Sequence, residues 1–262
     1  MSLDVGRAIR EGIGRMNTPM GRQFVLVFLV VRFLSTVVSH TLTAANRSLI
    51  EQLPTEAPPI PVGPETTPFA LPLPIAPALF LTLAMAFGAE AAHIAAVRFV
   101  VADDYRSVTV DDLTHRLGWT TLRGFIAGII AFVAVTIGLV LFVLPGIFLA
   151  VSFLFVRQEI AVRDVSVIDA LADSWSLTAG NRVEVAIVLL VLVAVGVVAS
   201  LPGFAAAFVS PVIQSLVAIA ISTVTTVFGI GVVSRAYAQL NERRAERFGL
   251  EDAVDVEKSR GP

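Results

Sequence analysis

Three side chains capable of acid–base or ionic chemistry interrupt otherwise apolar stretches. Arg32 lies in "FVLVFLVVRFLSTVVSHTL", and Glu90 and His93 lie in "FLTLAMAFGAEAAHIAAV". A charge held in hydrocarbon is costly, so such a residue marks either a function or a pair. Arg32 lies ten residues past Arg22, and Glu90 eight before Arg98. At 1.5 Å per residue both then sit about 12–15 Å from the same boundary. Matched depth on antiparallel neighbours predicts an Arg32–Glu90 ion pair, with His93 on the same helical face as Glu90. One reading is a proton- or ion-coupled site in which Glu90 and His93 titrate and Arg32 sets their pKa values. The other is a buried pair that fixes how the first two helices dock. The second is preferred, because one pair does not make a pathway.

The remaining candidates point away from catalysis. His40 falls near the outer end of the first apolar stretch, and His115 on a loop beside Arg116. Three dispersed histidines without cysteine offer no metal-ligand spacing. No cofactor is expected. The sequence holds no Gly-rich phosphate loop, metalloprotease motif, catalytic triad or nucleic-acid motif, so no catalytic residue is assigned and the expectation is a non-enzyme that binds no nucleic acid. Ser35 lies one turn from Arg32, but no base accompanies it.

The elements that must position these residues are membrane helices. The chain has 262 residues, 56% hydrophobic and 15% charged, with mean hydropathy +0.82. A soluble domain is nearer 25% charged. The expected fold class is all-α, a polytopic membrane bundle of six transmembrane helices plus a short amphipathic interfacial helix. The spans are read at about 24–42, 75–98, 124–143, 147–163, 184–201 and 212–236. The first span is expected to be uncleaved, starting with Thr18 as N-cap and Pro19 at the first helical position. Ile9, Ile13, Met16 and Met20 suggest a short surface helix before it. Residues 54–74 form a Pro-rich external loop, and 241–262 a charged cytoplasmic tail, leaving 1–240 as the membrane domain.

Basic residues orient this set. With the N-terminus in the cytoplasm, seventeen of nineteen lie on cytoplasmic segments, Arg47 lies outside, and Arg32 lies within a span. That asymmetry is what the positive-inside rule describes. It makes the uncharged run 124–156 a hairpin, with Pro145-Gly146 as the reversal. "LPG" recurs at 201–203, so Pro202-Gly203 is read as a second outer turn. Pro-Gly is common where membrane helices turn, which outweighs an internal duplication. Gly124 and Gly128, in "GFIAG", would serve a dimer or packing within the bundle.

Between the fourth and fifth spans, Ser166 with Asp169 forms a capping-box pattern, and Gly180-Asn181 a stop. Residues 166–179 are expected to form the interfacial helix, with Ile168, Leu171 and Trp175 as its apolar stripe. The stripe would pack on lipid or the bundle, or dock a partner.

The pattern Pro145-Gly146, Glu159, Ala170-Leu171, Ser174-Trp175, Leu177-Thr178 and Gly180 resembles a family of polytopic bacterial and archaeal membrane proteins. These are similar to the membrane domain attached to some glycerophosphoryl diester phosphodiesterases. The resemblance covers about 40 residues and implies a helical membrane domain of mostly unassigned function. It does not imply phosphodiesterase activity, which resides in a separate soluble barrel. The functional expectation is a cell-membrane module, both ends cytoplasmic, binding lipid or partner proteins, with a homo-oligomer through small-residue faces as one form. The alternative is a small transporter or channel using Arg32, Glu90 and His93.

Overall fold

The structure, a computed structural model, describes residues 3–51, 67–104 and 106–248, with 247 and 248 described by backbone alone. Every regular element among them is α-helical. Six stretches are long and apolar enough to cross a membrane: Pro19–Glu51, Ile75–Val101, Leu117–Leu141, Val143–Arg163, Arg182–Ala206 and Pro211–Glu246. Leu26, Phe80, Phe132, Val140, Leu190 and Phe204 point outward from them. An outward apolar surface of this extent belongs in hydrocarbon, and the fold is a polytopic membrane helix bundle. Of the expected Pro-rich loop, residues 54–66 lie outside the described residues, as does the tail from 249.

Helix α1, Val5–Met16, precedes α2, Pro19–Glu51. Thr18 caps α2 as its sequence suggests, accepting from the Gly21 N–H at 3.1 Å and donating to the Arg15 carbonyl at 2.7 Å. α3 is Ile75–Val101, α4 is the short Val110–Thr114, and α5 is Leu117–Leu141. The fourth span is two pieces, α6 Val143–Ser152 and α7 Val156–Arg163. Then follow α8 Val167–Thr178, α9 Arg182–Ala206 and α10 Pro211–Phe248. Ser210 and Pro211 repeat the Thr18-Pro19 start: the Ser210 hydroxyl accepts from the Val212 N–H at 3.3 Å.

α10 is the organising element. Its 38 residues amount to about 57 Å, far longer than a hydrocarbon core. It packs against α1, α2, α3 and α9. α1 runs antiparallel along its projecting end, where Asp4 N–H reaches the Gln239 Oε1 at 3.3 Å and Glu11 meets Arg235 at 2.7 Å. Gly12 and Gly231 make the crossing: a Cβ on Gly12 would lie 2.7 Å from the Gly231 carbonyl carbon. The buried face of α1 is therefore Ala8, Gly12 and Met16, and Ile13 points outward. The glycines that weaken this helix in isolation are what let it dock. The first and last described helices consequently share one end of the bundle.

The two LPG segments differ. The α5–α6 reversal occurs at Phe142, whose backbone is extended. Pro145 follows in the first turn of α6, where a missing N–H has little consequence. Gly146 then packs against α5: a Cβ there would lie 2.5 Å from the Leu139 nitrogen. Pro202-Gly203, by contrast, lies inside α9, and that chain reverses only over 207–210. The expected second LPG turn is thus corrected. Ser210-Pro211 supplies the start signal for the next helix, so the turn falls just ahead of it.

α8 forms where expected and turns two residues of its apolar stripe outward. Ser166 does cap it, accepting from the Asp169 N–H at 3.3 Å. Its buried face is Ala170, Ser174, Leu177 and Thr178, whereas Ile168 is 78% and Trp175 39% exposed. Small residues permit the closer approach, and Ser174 finds a backbone partner that the apolar stripe could not use. Leu171 lies partly buried at the edge of the contact with α5 and α7. Gly180, at φ +87°, turns the chain into α9.

Candidate functional site

Arg32 and Glu90 are not partners. Arg32 donates from Nη2 to the Thr226 hydroxyl on α10 at 2.6 Å, on an exposed face of α2. Glu90 instead pairs with Arg157 of α7 at 3.3 Å. Its side chain is 7% exposed and that of Arg157 46%. The depth argument selected the wrong arginine. Arg157 lies six residues before Arg163, about 9 Å in from the same end of the bundle, and α3 faces α7 there.

Glycines on α5 make room for this pair. A Cβ on Gly124 would stand 3.0 Å from Glu90 Oε1, and one on Gly128 3.1 Å from Arg157 Nη2. The GxxxG stripe therefore accommodates an ion pair inside the monomer. Glu90 Oε1 and His93 Nε2 are buried without a hydrogen-bond partner among the described residues. His40, at the other end, stacks on Phe69 with centroids 5.9 Å apart.

A second polar layer closes the end of the bundle where α1 docks. Arg98 donates to the carbonyls of Ala161 at 2.8 Å, Leu113 at 3.1 Å and His115 at 2.7 Å, and to the Thr120 hydroxyl at 3.3 Å. These carbonyls lie where α4 and α7 end, so one guanidinium satisfies acceptors that helix ends leave open. Asp164 gathers Thr120 at 3.0 Å, Arg123 at 3.3 Å and Arg116 at 3.2 Å. Arg116 and Asp164 both have left-handed backbones, φ 49° and 50°. Such a conformation costs a non-glycine residue about 1–2 kcal/mol, which their mutual contact helps to offset.

Glu159, fully buried on α7, accepts from Arg163 and from the Tyr237 hydroxyl, each at 3.1 Å. Arg163 continues to Asp173 of α8 at 2.6 Å. A cavity of about 530 Å³ opens beside these groups, lined in part by Arg98, Asp103, Asp112, His115, Tyr237 and Glu242. At its rim Asp112 caps α4 reciprocally with Thr109, whose backbone N–H and hydroxyl hold the Asp112 carboxyl below the usual aspartate range. No cluster of three or more His, Asp or Glu suited to a metal ion occurs among the described residues.

A family model described as a domain of unknown function, DUF7847, matches residues 3–240. The chain belongs to this family. No curated protein and no solved structure matches it. The match runs from the start of α1 to Leu240 of α10, so it takes in the Glu90–Arg157 pair and the layer around Arg98 and Asp164.

Sequence reasoning gave neither Arg157 nor Glu159 a partner. Two signals pointed further: Arg157 ends an uncharged run of 33 residues, and Gly124 and Gly128 mark the helix face against which a bulky pair fits. Tyr237, Asp164 and Arg98 carried no signal of their own, because their partners lie on other helices.

Proposed function

We propose that this protein is a non-enzymatic membrane module that binds partner proteins or lipid, set in the cell membrane with both chain ends cytoplasmic. The observation that carries this reading is the Glu90–Arg157 pair. Its carboxylate is buried, its arginine is engaged, and glycines on α5 close against both. A pair held in this way serves to dock α3 against α7 rather than to carry an ion. The basic residues concentrated at one end of the bundle support the orientation. The resemblance of residues 145–180 to the membrane domain of some glycerophosphoryl diester phosphodiesterases belongs to the same reading. In those proteins the helical unit is the membrane part, and catalysis resides in a separate soluble domain.

A small transporter remains the second reading, drawn from the unpartnered Glu90 Oε1 and His93 Nε2. The chain lacks cysteine, which permits a direct test. Single cysteines at Glu90 and His93, with Leu71 and Ser107 as controls on opposite sides, are exposed to a membrane-impermeant thiol reagent. The module reading expects Ser107→Cys to react from the cytoplasm, Leu71→Cys from outside, and the cysteines at 90 and 93 from neither. Ready labelling at 90 would mean water reaches the pair and would favour transport.

A further inference from the structure

Arg32 is an intramembrane charge that the bundle leaves on its surface with no carboxylate beside it among the described residues. It lies ten residues past Arg22, and its partner Thr226 nine residues before Arg235. Counted along either helix, the guanidinium sits about 13–15 Å from the basic end, near the middle of a core about 30 Å thick. Arg32 is exposed on α2, among outward Leu29, Val30, Phe33 and Leu34. Thr226 accepts one of its five N–H donors, and no carboxylate lies within salt-bridge distance of it among the described residues. Intramembrane arginines almost always face a bundle interior or a watery cavity and pair there. Here Arg32 does neither within one chain.

We infer that the α2–α10 seam at Arg32 and Thr226 docks a transmembrane helix of a partner protein that carries an Asp or Glu near its midpoint. Charge complementarity names the occupant. A carboxylate at this depth would neutralise Arg32 and accept the donors that Thr226 leaves over. A second copy of this chain cannot supply it, because its carboxylate at comparable depth, Glu90, is buried and paired with Arg157. An anionic lipid headgroup would be met only by the side chain snorkelling toward the surface, and a Glu preference measured in phosphatidylcholine vesicles, which hold no anionic lipid, separates the two. Half-buried Ser35 and Thr36 lie beside Arg32 on α2, small residues of the kind that let membrane helices pack closely. This inference rests on the partner-binding reading and specifies the partner's chemistry.

The test uses the full chain labelled with a donor dye at Ser107→Cys, in phosphatidylcholine vesicles. The probes are Leu-rich transmembrane peptides carrying an acceptor dye, with Glu, Gln or Leu at the central position. The expected result is association of the Glu peptide about tenfold tighter than the Leu peptide. That preference should vanish in Arg32→Leu and persist in Arg32→Lys, with Arg32→Gln as a second neutral variant. Equal association of the three peptides, or a Glu preference unchanged in Arg32→Leu, would overturn the inference. So would Arg32-dependent energy transfer between donor-labelled and acceptor-labelled copies of the protein mixed without peptide, which would make the occupant a second copy. The cysteine labelling at 90 is independent of this outcome, so the module reading and the helix-docking inference fail separately.

Discussion

The hydroxyl of Ser174 on α8 bridges the break in the fourth span, donating to the Ser152 carbonyl at 2.8 Å and accepting from the Phe155 N–H at 3.3 Å. Both backbone groups lie where α6 stops and α7 has yet to begin. Unmet, they would be buried without water. α8 thus belongs to the interior architecture of the bundle, and one serine joins it to a broken span.

Ser174→Ala should therefore lower stability by about 1–3 kcal/mol, the usual consequence of leaving buried polar groups unpaired. Ser176→Ala, on the exposed side of the same helix, should change it by less than about 0.5 kcal/mol. Thermal unfolding in detergent, compared between the two variants, checks this.

Gly12→Leu should detach α1. The Cβ alone would meet Gly231 backbone at 2.7 Å, and overpacking of a close crossing costs about 1–3 kcal/mol or more. Limited proteolysis should then cut within residues 5–18 faster than in the native chain. Gly14→Ala, which has open space, should leave the cleavage rate unchanged.

The pH response of α4 follows from its cap. The Asp112 carboxyl is held below its ordinary value by the Thr109 backbone N–H and hydroxyl. A depressed folded pKa means the cap is fully present above the ordinary aspartate range and is lost as pH falls through the lowered value. Carboxyl titration by NMR should show Asp112 titrating at the acid end. Thr109→Ala, which keeps the N–H, should move it only part of the way back.

The fold was legible where local chemistry decides it. The Thr18-Pro19 start, the Ser166 cap and the Gly180 stop are set by residues a few positions apart, and composition alone announces hydrocarbon-length helices. Whatever depended on the azimuth of one helix against another was not legible. Arg32 and Glu90 share a depth on neighbouring helices, yet they face different third helices, Arg32 toward α10 and Glu90 toward α7. The stripe of Ile168, Leu171 and Trp175 is the more apolar face of α8, but Ala170 and Ser174 admit closer packing. Pro202 reads as a breaker, yet α9 continues through it to Ala206.

The account turns on Glu90 and Arg157 forming a fixed pair. The most direct measurement is a double-mutant cycle of Glu90→Gln, Arg157→Gln and the combined variant, read as unfolding free energy in detergent. Arg157→Gln should cost about 2–4 kcal/mol, because it strands a buried carboxylate. Glu90→Gln should cost less, since Arg157 is half exposed. The combined variant should cost clearly less than the sum of the two, the mark of residues that act as one unit. Small, additive effects would contradict the account and make Glu90 a free group within the membrane.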